Sequence, residues 1–234
     1  MKYIWDKVKK FTTCDWVCVW FMGGLLISIA YLFFTRGNGW SNFLFWNRND
    51  TGMDFFHSIE YVRGRVPYEK FQTLYPPLAN LLFYVIFCFV PSWQHNSWPN
   101  SFIESVGTRG SVIDLRLWQP TMMIFILFVM ASAVAIYILI QRYIEKYKSS
   151  KLVSVGLMLS FGMINAYERG NIIIFVLLFI LIFIEFKDSE NKIASELALI
   201  SLAIAAGLKI YPAVFGILLI YDKQYKKAVR TIFY

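Results

Sequence analysis

The sequence predicts an all-α, polytopic membrane protein that forms a single transmembrane domain over residues 1–234. Three observations predict it. Hydrophobic residues make up 58% of the chain and charged residues only 16%, with a mean hydropathy of +0.52, whereas a soluble domain carries roughly half apolar and a quarter charged residues. The apolar residues fall into long runs that approach the ~20 residues needed to cross the hydrocarbon core. The Lys and Arg residues, which leave a net charge of +8, sit at the ends of those runs, where membrane orientation places them. They form no aromatic-interleaved patch, which argues against a nucleic-acid partner. The three cysteines, Cys14, Cys18 and Cys88, make no even framework and read as small hydrophobes in or beside apolar runs.

Taken in order, Lys2, Lys7, Lys9 and Lys10 precede the apolar run from Trp16 to Phe34. The run is long enough for a span and has no small-x-small cleavage site, so it reads as an uncleaved anchor with a cytoplasmic N-terminus. By parity, the polar stretch that follows lies on the outer face, with residues 35–73 as an external loop. Leu74 to Val90 returns inward and stops at Pro91. Ser92 to Pro120, with Trp93, Trp98 and Trp118, reads as an interfacial loop, and Thr121 to Ile140 spans again. The connection from Gln141 to Lys151 is basic and belongs inside by the charge rule, yet counting spans puts it outside.

Leu152 to Ile164 and Ile172 to Phe186 are both short for a crossing. They are two thin spans or a re-entrant hairpin with a protein-shielded polar tip, or their junction is a plain turn with Gly170 as terminator and Asn171 as helix cap. Ile193 to Tyr221 is one apolar run interrupted by Gly207-Leu208-Lys209-Ile210-Tyr211-Pro212, where proline is expected to kink a helix. Lys209 is an ammonium deep in apolar sequence, a functional candidate by default, with snorkelling at a junction of two short spans as the plain alternative. Lys223, Lys226, Lys227 and Arg230 mark a cytoplasmic end.

The chemistry-bearing stretch is Asp50 to Pro77, a polar island between apolar runs. Wound at 3.6 residues per turn, Asp54 to Arg63 sets Phe55, Phe56, Ile59 and Val62 on one face and Asp54, His57, Ser58 and Tyr61 on the other, the pattern of a short helix on a membrane surface. Asp54 is either a general base or the acid of a capping box begun at Thr51, and Asp50 is either a site acid or an N-cap. Arg63, Arg65, Arg169 and Lys209 are the cations available to an anionic leaving group. His57 lies one turn after Asp54, but two ligands make no metal site and no motif completes one.

Asp54, then Gly64-Arg65-Val66-Pro67-Tyr68, then Tyr75-Pro76-Pro77 opening an apolar run, resemble glycosyltransferase family 87, the polyprenyl-phosphomannose-dependent mannosyltransferases. Arg169-Gly170-Asn171 resembles that family's Gly-Gln-x-Asn segment loosely, and Lys209-Ile210-Tyr211-Pro212 its Lys-x-x-Pro segment well. The resemblance runs from about Asp50 to Tyr221. It implies a GT-C-like helical module, longer than this chain, with an amphipathic surface helix in the first external loop. It implies transfer of a hexose, mannose in the family, from a polyprenyl phosphate to a glycan or glycolipid acceptor at the outer face of a bacterial inner membrane. Asp54 is then the general base, and Asp50, His57, Tyr61, Arg63, Arg65, Tyr75, Arg169, Asn171 and Lys209 bind substrate. No metal or other cofactor is implied, and the bilayer and the lipid-linked donor are the partners. A transporter or flippase of lipid-linked substrates is the alternative reading, although no internal repeat shows in the two halves. A non-catalytic membrane subunit is another, although it leaves the charged loop without a role.

Overall fold

The computed structural model describes residues 13–36, 52–63, 67–90, 119–146 and 152–234, and these contain helices and turns with no strand. The helices are α1 (Thr13–Phe34), α2 (Met53–Arg63), α3 (Pro67–Phe71), α4 (Pro77–Phe87), α5 (Gln119–Lys146), α6 (Leu152–Met158), α7 (Phe161–Arg169), α8 (Ile173–Phe186) and α9 (Lys192–Leu208). A 3-10 segment (Tyr211–Gly216), α10 (Ile217–Tyr221) and α11 (Tyr225–Phe233) follow. Among the described residues one helix, α5, with 28 residues, is long and apolar enough to cross a membrane by length and composition.

α5 is apolar on both sides. Its buried side carries Thr121, Phe128, Ser132, Ile136, Ile140 and Ile144, while Met123, Ile126, Leu127, Met130, Val134 and Ile138 face outward. Water would oppose that arrangement and hydrocarbon does not. The Ser132 hydroxyl costs little inside because it donates to the Phe128 carbonyl at 2.8 Å, one turn back.

α8 and α9 form the antiparallel centre of the fold, with α5 beside α8 and α4 beside α9. α2 packs on α4, and here the outcome departs from the amphipathic reading. Phe55, Phe56 and Ile59 are fully buried and Val62 nearly so, against protein and not against lipid. Phe55 meets the rings of Phe56, Phe83, Phe125 and Phe128 at centroid distances of 5.2, 6.2, 5.3 and 5.1 Å. Ser58 and Glu60 are buried as well, so the helix is covered on more than its apolar face. Pro67 starts α3, with proline in the first turn where its missing N–H is no loss.

The long C-terminal run breaks where a kink was expected. α9 ends at Leu208, Lys209 is extended (φ −147, ψ 136), and Pro212 opens a new helical segment. Extension at Lys209 separates two short helices and leaves the lysine at their junction. The two ends of α5 have different neighbours, and residues 147–151 of the basic connection lie outside the described residues. Phe125, near the start of α5, lies beside Gly52 and Gly170, whereas Lys146 pairs with Glu185 at the far end of α8 at 3.8 Å. The end that carries Lys146 is therefore the end away from Asp54. That far end is closed by Lys187, which donates to Asp188 at 2.5 Å and to Asp222 at 2.6 Å, and by Arg230 on Glu196 at 2.9 Å.

Candidate functional site

Asp54 stands in the first turn of α2, and its carboxylate is held from the other half of the chain. Arg169 donates through Nε to Oδ2 at 3.1 Å and through Nη2 to Oδ1 at 3.0 Å, a two-pronged pairing, and Asn171 Nδ2 donates to Oδ2 at 2.6 Å. Such charge-assisted bonds are about twice as strong as neutral ones. The pair is only partly covered, with side-chain exposures of 32% for Arg169 and 20% for Asp54, so the carboxylate remains within reach of a ligand.

The local sequence explains how Arg169 and Asn171 reach it. α7 is capped at its start by Ser160, whose hydroxyl accepts from Met163 N at 3.4 Å, and at its end by Gly170 in the left-handed conformation (φ 61, ψ 38). A side chain at position 170 is disfavoured by that φ and by space, since a Cβ would come within 2.6 Å of the Phe125 ring and 2.7 Å of Phe55 Cβ. The turn lets Asn171 do two things. Its Oδ1 accepts from Ile173 N at 2.9 Å, capping the first turn of α8, while its Nδ2 holds Asp54. Asn171 is thus bonded both to the start of α8 and to Asp54. A second tie runs from Gly52 N to Glu168 O at 2.9 Å, fixing the start of α2 to the end of α7. Nothing in the sequence points to this tie beyond the glycine before α2.

Lys209 and Tyr75 form the neighbouring part. The Lys209 ammonium lies 4.3 Å from the Tyr75 ring centroid, a cation–π contact, and Asp54's charge acts on it. Tyr75 itself is pinned. Its carbonyl accepts from Tyr68 Oη at 2.9 Å and from Asn80 Nδ2 at 3.3 Å, and its N–H donates to Thr73 Oγ1 at 3.2 Å. The Tyr75 ring is mostly covered, and the Asp54 charge lies close enough to act on its hydroxyl. His57 and Tyr61, one turn apart, stack at 5.8 Å on the Asp54 side of α2, and burial, with Asp54 adding, raises the Tyr61 hydroxyl.

The residues predicted for the site thus divide. Asp54, Arg169 and Asn171 are in direct contact, Lys209 and Tyr75 are paired beside them, and His57 and Tyr61 line the same helix. Asp50, Arg65 and the side chain of Arg63 lie outside the described residues, as do the capping Thr51 and the loop with Trp93, Trp98 and Trp118. One carboxylate against two cations leaves the cluster with a single positive charge, a setting for an anionic ligand with a hydroxyl beside it.

The described residues thus combine an apolar outer helix with a carboxylate-and-cation cluster at one end of the bundle. The family model of glycosyltransferase family 87 matches residues 73–234, and the chain belongs to that family of membrane glycosyltransferases. The match takes in Tyr75, Arg169, Asn171 and Lys209; Asp54 precedes it and is bound by residues within it. No curated protein and no solved structure matches the chain.

Proposed function

We propose that this glycosyltransferase is a multi-pass protein that moves a hexose, mannose by its resemblance, from a polyprenyl phosphate to a hydroxyl of a glycan or glycolipid. The reaction takes place on the outer face of a bacterial inner membrane, with the N-terminus cytoplasmic. The observation that carries this reading is the Asp54 carboxylate held by Arg169 and Asn171 next to Lys209.

A carboxylate offers about four acceptor positions. Three on Asp54 are taken, one on Oδ1 and two on Oδ2, which leaves one on Oδ1 for the acceptor hydroxyl. The hydroxyl oxygen attacks the anomeric carbon and its proton passes to Asp54, while the bond from that carbon to the phosphate oxygen breaks and its electron pair leaves with the phosphate. The leaving phosphate is a stable anion and needs positive charge more than a proton. Lys209 supplies it, and Arg169, already committed to Asp54, positions the base. The sidedness is supported by the basic end of α5 lying away from Asp54.

Membranes carrying the protein, incubated with radiolabelled polyprenyl-phosphate mannose, are expected to yield a labelled glycan or glycolipid whose sugar and linkage mass spectrometry identifies. Uptake of the labelled lipid into sealed vesicles with no transfer would favour a transporter instead.

A further inference from the structure

We propose that α11 is an interfacial helix seated on the anionic headgroups of the leaflet at the end of the bundle away from Asp54, with Lys223 and Lys226 holding those headgroups. This goes beyond the sugar-transfer reading and does not depend on it. α11 turns its polar side to the protein. Lys227 donates to the Lys187 carbonyl at 2.6 Å, Gln224, just before the helix, donates to Asp188 at 2.8 Å, and Ala228 packs on the cluster of Leu199 and Leu219. Tyr225, Val229, Ile232 and Phe233 face outward, with Ile232 82% and Phe233 83% exposed. Their spacing of i, i+4, i+7 and i+8 makes one apolar stripe about 100° wide. The apolar helix α8 ends at Phe186, with Lys187 and Asp188 next, so α11 sits where the apolar part of the bundle gives way to charge.

The charges around the stripe decide what covers it. α11 carries Lys226, Lys227 and Arg230 and no acid. Lys227 and Arg230 are engaged by the protein, Arg230 on Glu196 at 2.9 Å. Lys223 and Lys226 are exposed, and their ammonium groups have no partner among the described residues. At 100° per residue Lys226 and Arg230 border one edge of the stripe. A second copy packed stripe to stripe would bring these lysines toward their own duplicates, and like charges repel. An anionic bilayer surface meets both features at once, with phosphates for the lysines and the acyl boundary for the stripe.

The backbone at Lys223 is a second, independent observation. Lys223 is left-handed (φ 57) in the turn that ends α10, where its N–H donates to Ile220 O at 3.0 Å and that of Gln224 to Leu219 O at 2.8 Å. Glycine closes a helix in this way without strain. What lysine adds over glycine at this position is an exposed cation beside α11.

The test places the full chain in nanodiscs of phosphatidylcholine, alone or mixed with phosphatidylglycerol, and follows amide hydrogen exchange by mass spectrometry. Each lysine near an anionic surface contributes about fivefold in binding, so the mixed bilayer is expected to slow exchange across residues 225–233 about tenfold or more. High salt should remove the difference. Lys223→Gly combined with Lys226→Gln should bring the two bilayers within about twofold of each other. Tm of that variant should be unchanged or higher, because glycine relaxes the turn; a lysine kept only for the fold would give a lower Tm and leave the lipid dependence intact. Soluble glycerol phosphate added to phosphatidylcholine discs should protect nothing. Equal exchange in the two bilayers, or protection that follows the number of chains per disc, overturns the proposal and assigns the stripe to a protein partner. Protection by glycerol phosphate, full protection in Ile232→Ser, or a phosphatidylglycerol effect that survives the double substitution overturns it as well.

Discussion

Asp54→Asn tests both the chemistry and the geometry of the cluster. Asparagine keeps the shape of aspartate but offers an NH2 group where a carboxylate oxygen stood. If the amide nitrogen takes the place of Oδ2 it faces Arg169 Nε and Asn171 Nδ2, two donors; in the place of Oδ1 it faces Arg169 Nη2. The second orientation is the better one, and it also spoils the oxygen left for the acceptor hydroxyl. The loss of the base is expected to lower kcat by ~10²–10⁴. Loss of one charge-assisted bond, with solvent sharing part of the cost, lowers stability by about 2 kcal/mol, or ~4–8 °C in Tm for a chain of this size. Donor KM should not rise, because Arg169 is released and Lys209 is untouched. The double variant Asp54→Asn with Asn171→Asp returns a carboxylate to the cluster from the opposite side. It should recover most of the lost Tm in a detergent-solubilised thermal melt while kcat stays low, since the base now lies on the wrong side of the acceptor. Asp50→Asn, by comparison, should cost at most ~1 kcal/mol, as asparagine caps helices nearly as well as aspartate. If Asp54→Asn turns over within about threefold of the parent, or Asp50→Asn is the dead enzyme, Asp54 is not the base.

Lys209→Met keeps the apolar stem over Tyr75 and removes the charge, so donor KM should rise about tenfold with the melt unchanged; an unchanged KM returns Lys209 to a lysine that merely reaches for water. Gly170→Ala forces a Cβ into the Phe125 ring at a left-handed position and is expected to cost at least ~1–3 kcal/mol, read as a lower Tm and reduced yield; a Tm within a degree or so of the parent would contradict the packing described. The far-end clasp should show in the pH dependence of stability. Burial alone would raise Asp188, but its bonds to Lys187 and Gln224 outweigh this and hold it below its ordinary 3.8. Burial likewise opposes the charged form of Lys187, yet Asp188 and Asp222 carry it above its ordinary 10.5. A depressed acid stabilises above its ordinary value and loses that contribution as pH falls through its folded one, and a raised base does the reverse. Tm should therefore hold level between about pH 5 and 10 and fall outside that window, and the plateau should shrink in Asp222→Asn; a Tm that falls steadily across the plateau would argue against the clasp.

How much of this was legible beforehand differs from residue to residue. The helix around Asp54 follows from its period, because Phe55, Phe56, Ile59 and Val62 are local neighbours on one face. What covers that face was not legible, since burial against α4 and α5 is decided by contacts remote in the chain. Lys209 announced itself as a charge in apolar sequence, but the extended backbone that ends α9 there competes with strong local helix formers, and sequence reasoning favoured a bent helix. Arg169 stood among the available cations and Asn171 as a helix cap, and only the resemblance put both with Asp54 as site residues. The pairing itself spans 115 positions to Arg169 and 117 to Asn171, and nothing in either segment states its partner. The double use of Asn171 was hidden because its capping role was a sufficient explanation by itself.

That separation has a consequence for biosynthesis. Chains emerge at roughly 5–20 residues per second, so Asp54 waits about 6–23 s in the nascent protein before the side chains that orient it have been made. α2 can meanwhile settle on α4, whose Phe83 follows within thirty positions, and so shelter its phenylalanines early. Its carboxylate stays unpaired until the turn at Gly170 arrives. Insertion of the early helices and completion of the cluster are thus separate events in time, and a ribosome stalled between them leaves an anchored, partly packed protein with no assembled cluster.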